Sequence, residues 1–263
     1  MTVGVGDRSR DELTNSDRRR QIVFASGIEA LAESAAERLL ARIAQGGNRA
    51  AICLTGGTSP ERLYRRLAES PYRGAIPWDR VHWFIGDERF VPAENTLSNM
   101  GAARRLFLDH VGVPAGNIHP VATDATNPDA AARLYEAELK RFYGHDELDR
   151  AKPLFDLVLM GLGRDGHTAS LFPGSPALDE RVRWVVGVEQ AGLAPFVPRV
   201  TLTFPALAST HEMLFLISGE DKHEVLARAL SGDDLPASRA HSDGDLVWLI
   251  DRAVGLKELD ASA

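Results

Sequence analysis

Three short stretches of this sequence carry residue types able to do chemistry on a small anion. The longest reads Met160-Gly161-Leu162-Gly163-Arg164-Asp165-Gly166-His167-Thr168-Ala169-Ser170-Leu171-Phe172-Pro173-Gly174-Ser175. Gly161, Gly163 and Gly166 free the backbone from steric limits and deliver a histidine beside an aspartate. A neutral imidazole is the side chain best matched to taking a proton from water near neutral pH, and Asp165 could hold its ring and tautomer. The second stretch is Leu54-Thr55-Gly56-Gly57-Thr58-Ser59-Pro60-Glu61. Adjacent Gly56 and Gly57 let N–H groups approach a ligand, and a helix opening at Pro60 would aim its positive end at the same spot, with Thr58 and Ser59 beside it. That favours a phosphate, although an ordinary strand-to-helix turn has the same composition. The spacing is neither a Walker loop nor G-x-G-x-x-G.

The third stretch, Gly86-Asp87-Glu88-Arg89-Phe90-Val91-Pro92, is followed by Ser98-Asn99. Two carboxylates and a guanidinium could set a base and an anion clamp around one substrate, or be solvated surface charge. Arg199 and Lys222 could complement backbone N–H groups in holding a phosphate dianion, though each alone reads equally as surface charge. The other seven histidines, His82, His110, His119, His145, His211, His223 and His241, read as surface residues. Cys53, inside an apolar run, reads as a buried structural thiol. No His-x-x-x-His, Cys-x-x-Cys or calcium-loop spacing occurs, so no metal site is expected.

These stretches need strands and helices to place them. Apolar runs predict strands at Gln21–Ala25, Ala50–Leu54, Arg80–Ile85, Phe155–Met160, Trp184–Val188, Arg199–Phe204, Glu212–Ile217 and Leu246–Ile250. AAICL, FDLVLM, EMLFLI and LVWLI lack period-two alternation, as strands covered on both faces do. Apolar residues every three or four positions predict helices near Gly27–Gln45, Pro60–Ser70, Leu97–Val111, Pro128–Tyr143 and Asp221–Leu230, with Ser59 capping the second and Ser98 or Asn99 the third. The alternation implies an α/β fold with a doubly wound, mainly parallel sheet flanked by helices, Rossmann-like, whose ligand sits beyond the carboxyl ends of the strands. All three chemical stretches follow predicted strands. Residues 1–20 read as a flexible leader and residues 21–263 as a single domain.

The charge balance, 30 Lys plus Arg against 37 Asp plus Glu, gives a formal net charge of −7. That argues against nucleic acid as a partner, since phosphate-tracking proteins need a basic face. Hydrophobic residues at 44% and charged residues at 25% match a globular protein and exclude disordered and collagen-like classes. No run approaches the roughly 18–20 apolar residues a membrane span needs, and the N-terminus lacks a signal-peptide core. One cysteine permits no intrachain disulfide, so the cytoplasm is the expected location.

The segments LTGGTSPERLY, WFIGDERFVP with the following SN, MGLGRDGHTASLFPGS, PRVTLTFPAL and SGEDKHEVL, in order from residue 54 to about 226, resemble the 6-phosphogluconolactonases, in the glucosamine-6-phosphate isomerase/deaminase superfamily. The resemblance implies hydrolysis of 6-phospho-D-glucono-1,5-lactone to 6-phosphogluconate, without metal or organic cofactor. It implies His167 as general base, supported by Asp165, and Thr58, Arg199 and Lys222 as the 6-phosphate site. Arg89 would orient the lactone or stabilise the oxyanion, and Gly56, Gly57, Ser59, Asp87 and Asn99 would complete the substrate contacts. The alternative within the superfamily is an amino-sugar phosphate deaminase/isomerase, which carries a glutamate in the loop after the histidine; here that position is Phe172. A sugar-phosphate sensor of a transcription regulator would need a DNA-binding segment that this acidic sequence lacks. The expected partner is a small sugar-phosphate lactone, with no nucleic acid and no membrane, the protein being a monomer or small homo-oligomer.

Overall fold

Ala50–Leu54, Leu157–Met160 and Glu212–Ile217 are buried along their whole length, as an apolar run without alternation demands once both strand faces are covered. The structure, a computed structural model, describes residues 20–256; all but the last residue of the expected leader lies outside them. Its strands are β1 (Arg20–Ala25), β2 (Ala50–Leu54), β3 (Val81–Ile85), β4 (Asp87–Arg89), β5 (Leu157–Met160), β6 (Val185–Val188), β7 (Arg199–Leu202), β8 (Glu212–Ile217) and β9 (Asp245–Asp251). Its helices are α1 (Ile28–Gln45), α2 (Ser59–Leu67), α3 (Tyr72–Ala75), α4 (Asn99–Leu106), α5 (Pro128–Tyr143), α6 (Phe204–Ala208), α7 (His223–Ser231) and α8 (Pro236–Arg239).

Six strands form one sheet in the order β1-β9-β8-β5-β2-β3, every neighbouring pair parallel. The expected α/β fold with its mainly parallel sheet is present. The chain runs from β2 outward to β3 and later returns to β5 on the other side of β2, so the winding direction reverses between β2 and β5. At such a point the loops after the two strands diverge and leave a crevice.

Two of the eight expected strands leave this sheet. β6 and β7 pair antiparallel with each other, and β7 pairs with β4 in a second sheet of order β4-β7-β6. β4 is the Asp-Glu-Arg stretch, which reads as a loop in sequence because three charged residues show no apolar alternation. The two sheets meet at Gly86, whose N–H bonds the Leu54 carbonyl (2.9 Å) and whose carbonyl accepts from Leu202 (2.8 Å).

Helix ends follow local signals where these exist. Ser98 caps α4 by accepting from the Gly101 N–H, and Asn127 caps α5 by accepting from Ala130. α4 stops at Leu106 instead of running to Val111, because Phe107 leaves helical geometry to pack, fully buried, against Tyr64 and Trp83. α2 departs from expectation at its start: Ser59 is its first residue, and Thr58 occupies the cap position without a side-chain cap bond.

The surface reading of the histidines is wrong for two of them. His119 is buried, stacked on Phe84 at 4.2 Å, and half-buried His82 is hydrogen-bonded to it at 3.0 Å. Burial, then the neighbouring His119 and Arg49, pushes His82 down to about 4. Cys53 is fully buried, and burial raises its thiol well above the ordinary range, as a structural thiol requires.

Candidate active site

Two buried tyrosines set the loops that follow β2 and β3. The Tyr64 hydroxyl accepts from the Thr55 N–H (3.0 Å) and donates to the Thr55 carbonyl (2.7 Å), clamping α2 to the end of β2. The Tyr135 hydroxyl does the same for Ile85 at the end of β3, at 2.9 and 3.1 Å. Each replaces a missing strand neighbour, so the backbone polar groups there stay paired. Beyond these ends lies a cleft of about 470 Å³, at the reversal between β2 and β5.

The cleft is lined by Gly56, Gly57, Thr58 and Ser59 after β2, by Asp87 and Arg89 of β4, by Asn99 of α4, by His167 after β5, by Arg199 of β7, and by Lys222 after β8. Of the residues that the resemblance assigns to the site, Asp165 is set back from the lining, as is Glu88 of the third stretch. The Asp165 carboxylate holds His167 from behind: Oδ1 lies 2.5 Å from Nδ1 and accepts the His167 backbone N–H at 3.1 Å. Burial pushes the Asp165 carboxyl up, but its bonds to His167 outweigh burial and leave it below the ordinary range. An ionised acceptor on Nδ1 keeps the proton there and leaves Nε2 with its lone pair. The ring packs on Phe172 (centroids 4.7 Å apart) and so close over Gly163 that a Cβ there would stand 2.0 Å from Nδ1. Only glycine fits.

The β4–β7 register sets Arg89 directly opposite Arg199. Like charges facing each other across a ladder repel, and an anion between them removes the penalty. Arg199 is only 4% exposed; one of its amino groups donates to the Pro195 carbonyl (2.7 Å), while its Nε finds no partner among the described residues. Burial, then repulsion by Arg89, lowers its pKa, against the attraction of Asp87 and Glu88; a guanidinium keeps its charge regardless. Arg89 donates to the Leu97 carbonyl (3.1 Å) and the Asn99 amide oxygen, and its buried Nε likewise has no partner among the described residues. Asn99 also donates to the Asp87 carbonyl (2.8 Å), and its amide lies so close to Gly56 that a Cβ would clash at 2.0 Å. The amide of Asn99 is thus engaged in aiming Arg89.

The two carboxylates of β4 part ways. Glu88 turns inward, accepting from the N–H groups of Arg89 (2.8 Å), Asn99 (2.7 Å) and Met100 (2.9 Å) and from the Ser98 hydroxyl (3.0 Å). Burial raises its pKa against the pull of these four bonds. It anchors the start of α4. Asp87 faces the cleft, with Oδ2 accepting from the Ser170 hydroxyl at 2.6 Å. Ser170 lies in the histidine stretch, yet its role is invisible there because its partner comes from another element. Leu193 and Ala194 also line the cleft, from a segment that carries no signal in the sequence. Thr58, with its hydroxyl free of capping, and Lys222 bracket the histidine turn, since β2 and β8 flank β5.

This arrangement can activate a water at His167 beside a cationic wall that suits a phosphate dianion. Known proteins resemble this chain over most of its length. A 6-phosphogluconolactonase of Synechocystis is 39% identical over 226 residues, covering 83% of this chain and 88% of that protein. One of Streptomyces coelicolor is 37% identical over 244 residues, covering 89% and 92%. The crystal structure of 6-phosphogluconolactonase from Thermotoga maritima superposes with a TM-score of 0.76 at 30% identity, covering 88% of this chain and 99% of that one. With the family model for glucosamine-6-phosphate isomerases/6-phosphogluconolactonase matching residues 26–248, the chain belongs to that family.

Proposed function

We propose that this protein hydrolyses 6-phospho-D-glucono-1,5-lactone to 6-phosphogluconate, the reaction that gives its relatives their name. The observation that carries the choice within the family is the His167 environment. The ring is braced by Asp165 on one side and an apolar Phe172 on the other, where ring opening of an amino sugar would call for a carboxylate. His167 Nε2 takes a proton from water as the oxygen attacks C1. The tetrahedral oxyanion is met by Arg89 or by the N–H groups after β2. Its collapse breaks the bond from C1 to the ring oxygen, and the imidazolium, stabilised by Asp165, returns the proton to that oxygen. Arg199, Lys222 and Thr58 hold the 6-phosphate, while Gly56, Gly57, Ser59 and Asp87 border the sugar.

The proton inventory balances within the chain and water, so neither metal nor organic cofactor enters the proposal. Among the described residues no helix is long and apolar enough to cross a membrane, and the single free cysteine fits action in the reducing cytoplasm. The test is a titration of acid release from freshly made lactone, with and without a chelator. Enzymatic opening at an unchanged rate is the expected result. Faster release of ammonia from glucosamine 6-phosphate than of acid from the lactone would overturn the assignment in favour of a deaminase.

A further inference from the structure

Among the described residues the cleft holds one more cation than the function proposed above uses. Arg164 lines it, one residue before Asp165 in the turn that carries His167. The folding of that turn does not need a guanidinium. It is closed by the Gly163 N–H on the His167 carbonyl (2.8 Å), by the Gly166 N–H on the Gly163 carbonyl (3.0 Å) and by the Asp165 carboxylate. The Arg164 Nε donates to Asp221 Oδ2 at 2.7 Å, and that same oxygen lies 3.6 Å from Lys222 Nζ. Arg164 follows β5 and Lys222 follows β8, which are neighbours in the sheet. Asp221 therefore ties two cations from adjacent loops together at the edge of the cleft. The Arg164 bond, opposed by partial burial and reinforced by the Lys222 charge, holds the Asp221 carboxyl below its ordinary range, so it stays ionised.

An exposed ion pair of this kind adds little to stability. Its consequence is electrostatic. The whole chain carries a formal charge of −7, which repels a phosphate dianion, whereas among the described residues the cleft is lined by Arg89, Arg164, Arg199 and Lys222 with Asp87 as its one carboxylate. A cleft of one sign set in a surface of the other focuses the field and draws in its ligand. Arg164 is the outermost of the four: its side chain is 72% exposed, that of Lys222 20%, and Arg199 4%.

We propose that Arg164 is a further substrate-binding residue, which exchanges the Asp221 carboxylate for the substrate's phosphate and holds it at the cleft edge together with Lys222 and Arg199. The inference rests on reading the cleft as a sugar-phosphate site. Acting on capture rather than on the chemical step, Arg164 shows its effect in kcat/KM and in the salt dependence of kcat/KM.

The experiment compares Arg164→Ala with Arg133→Ala, which removes an equally exposed arginine ion-paired to Asp129 on α5, outside the cleft. At low ionic strength Arg164→Ala is expected to lower kcat/KM by about 5–20-fold, most of it in KM, with the loss shrinking to below about threefold near 0.5 M salt. Arg133→Ala is expected to match the wild type, and Arg164→Lys to recover part of the loss. Equal kcat/KM and equal salt dependence in the two alanine variants overturns the proposal, as does a loss confined to kcat, which would make Arg164 a support of the His167 turn. Calorimetric titration with 6-phosphogluconate separates this outcome from that of the parent reading. If the wild type fails to open the lactone, the assigned reaction falls, while weaker binding by Arg164→Ala than by Arg133→Ala still upholds the ligand and equal binding still removes it.

Discussion

At the residue scale the proposed mechanism depends on one imidazole nitrogen being left free while the other is tied. His167→Ala is expected to lower turnover of the lactone by about 10²–10⁴, the usual contribution of general acid–base catalysis, with melting temperature and 6-phosphogluconate binding close to wild type. Near-normal turnover would remove the base. Gly163→Ala probes the same atom without touching it: its Cβ would stand 2.0 Å from His167 Nδ1, so the ring must leave its place against Asp165. Turnover is expected to fall nearly as far as in His167→Ala, and a crystal structure of the variant with the His167–Asp165 bond intact would contradict the argument.

At the scale of elements, the start of α4 and the start of β3 make separate demands. Glu88 satisfies three backbone N–H groups and a hydroxyl where β4 meets α4. Glu88→Ala leaves them buried without partners, at a cost of about 2–4 kcal/mol; urea unfolding should show a lower midpoint at an unchanged slope. On β3, His82 is hydrogen-bonded to His119, itself bonded to Glu138 at 2.7 Å, with Phe142 against its ring and the Arg49 charge, over the Phe142 ring, acting on it from further away. In the fold His82 takes a proton only near pH 4, whereas the unfolded chain takes it near the ordinary value of 6.5. Between these limits the unfolded state binds more protons, so the His82 contribution to stability falls as pH drops from 6.5 towards 4. Burial of His119 works in the same direction. The melting temperature of His82→Gln should therefore decline less than that of the wild type between pH 6.5 and 4.5, and parallel curves would refute the linkage.

At the scale of the whole molecule, the second sheet, set over the ends of the first, opposes Arg89 and Arg199 within its own ladder, an arrangement that an anion between them would relieve. Saturating 6-phosphogluconate, at about 100 times its dissociation constant, should stabilise the fold by about 2.7 kcal/mol, or roughly 5–10 °C in melting temperature for a domain of this size. Arg199→Met should lose most of that rise, because it removes the buried donor whose Nε has no partner among the described residues. A variant that kept the full shift would place the phosphate elsewhere.

How much of this is legible in the sequence follows from the range over which each signal acts. Unbroken apolar runs such as AAICL and EMLFLI determine the buried strands, and glycine and proline beside Thr58 and His167 mark the loops, because burial on both faces and the turning of a backbone are decided within a few residues. The GxGxDGHTASLFPG stretch likewise carries its His167–Asp165 pair locally, two positions apart. Tertiary structure alone decided that Asp-Glu-Arg is a strand and that its register sets Arg89 across from Arg199. It also decided that Glu88 turns inward while Asp87 faces the cleft to meet Ser170, and that His82 and His119 are sheltered from water. These outcomes rest on elements far apart in the chain being pressed together by the burial of a common core. A residue's immediate neighbours report which face it can offer, but not what that face will meet.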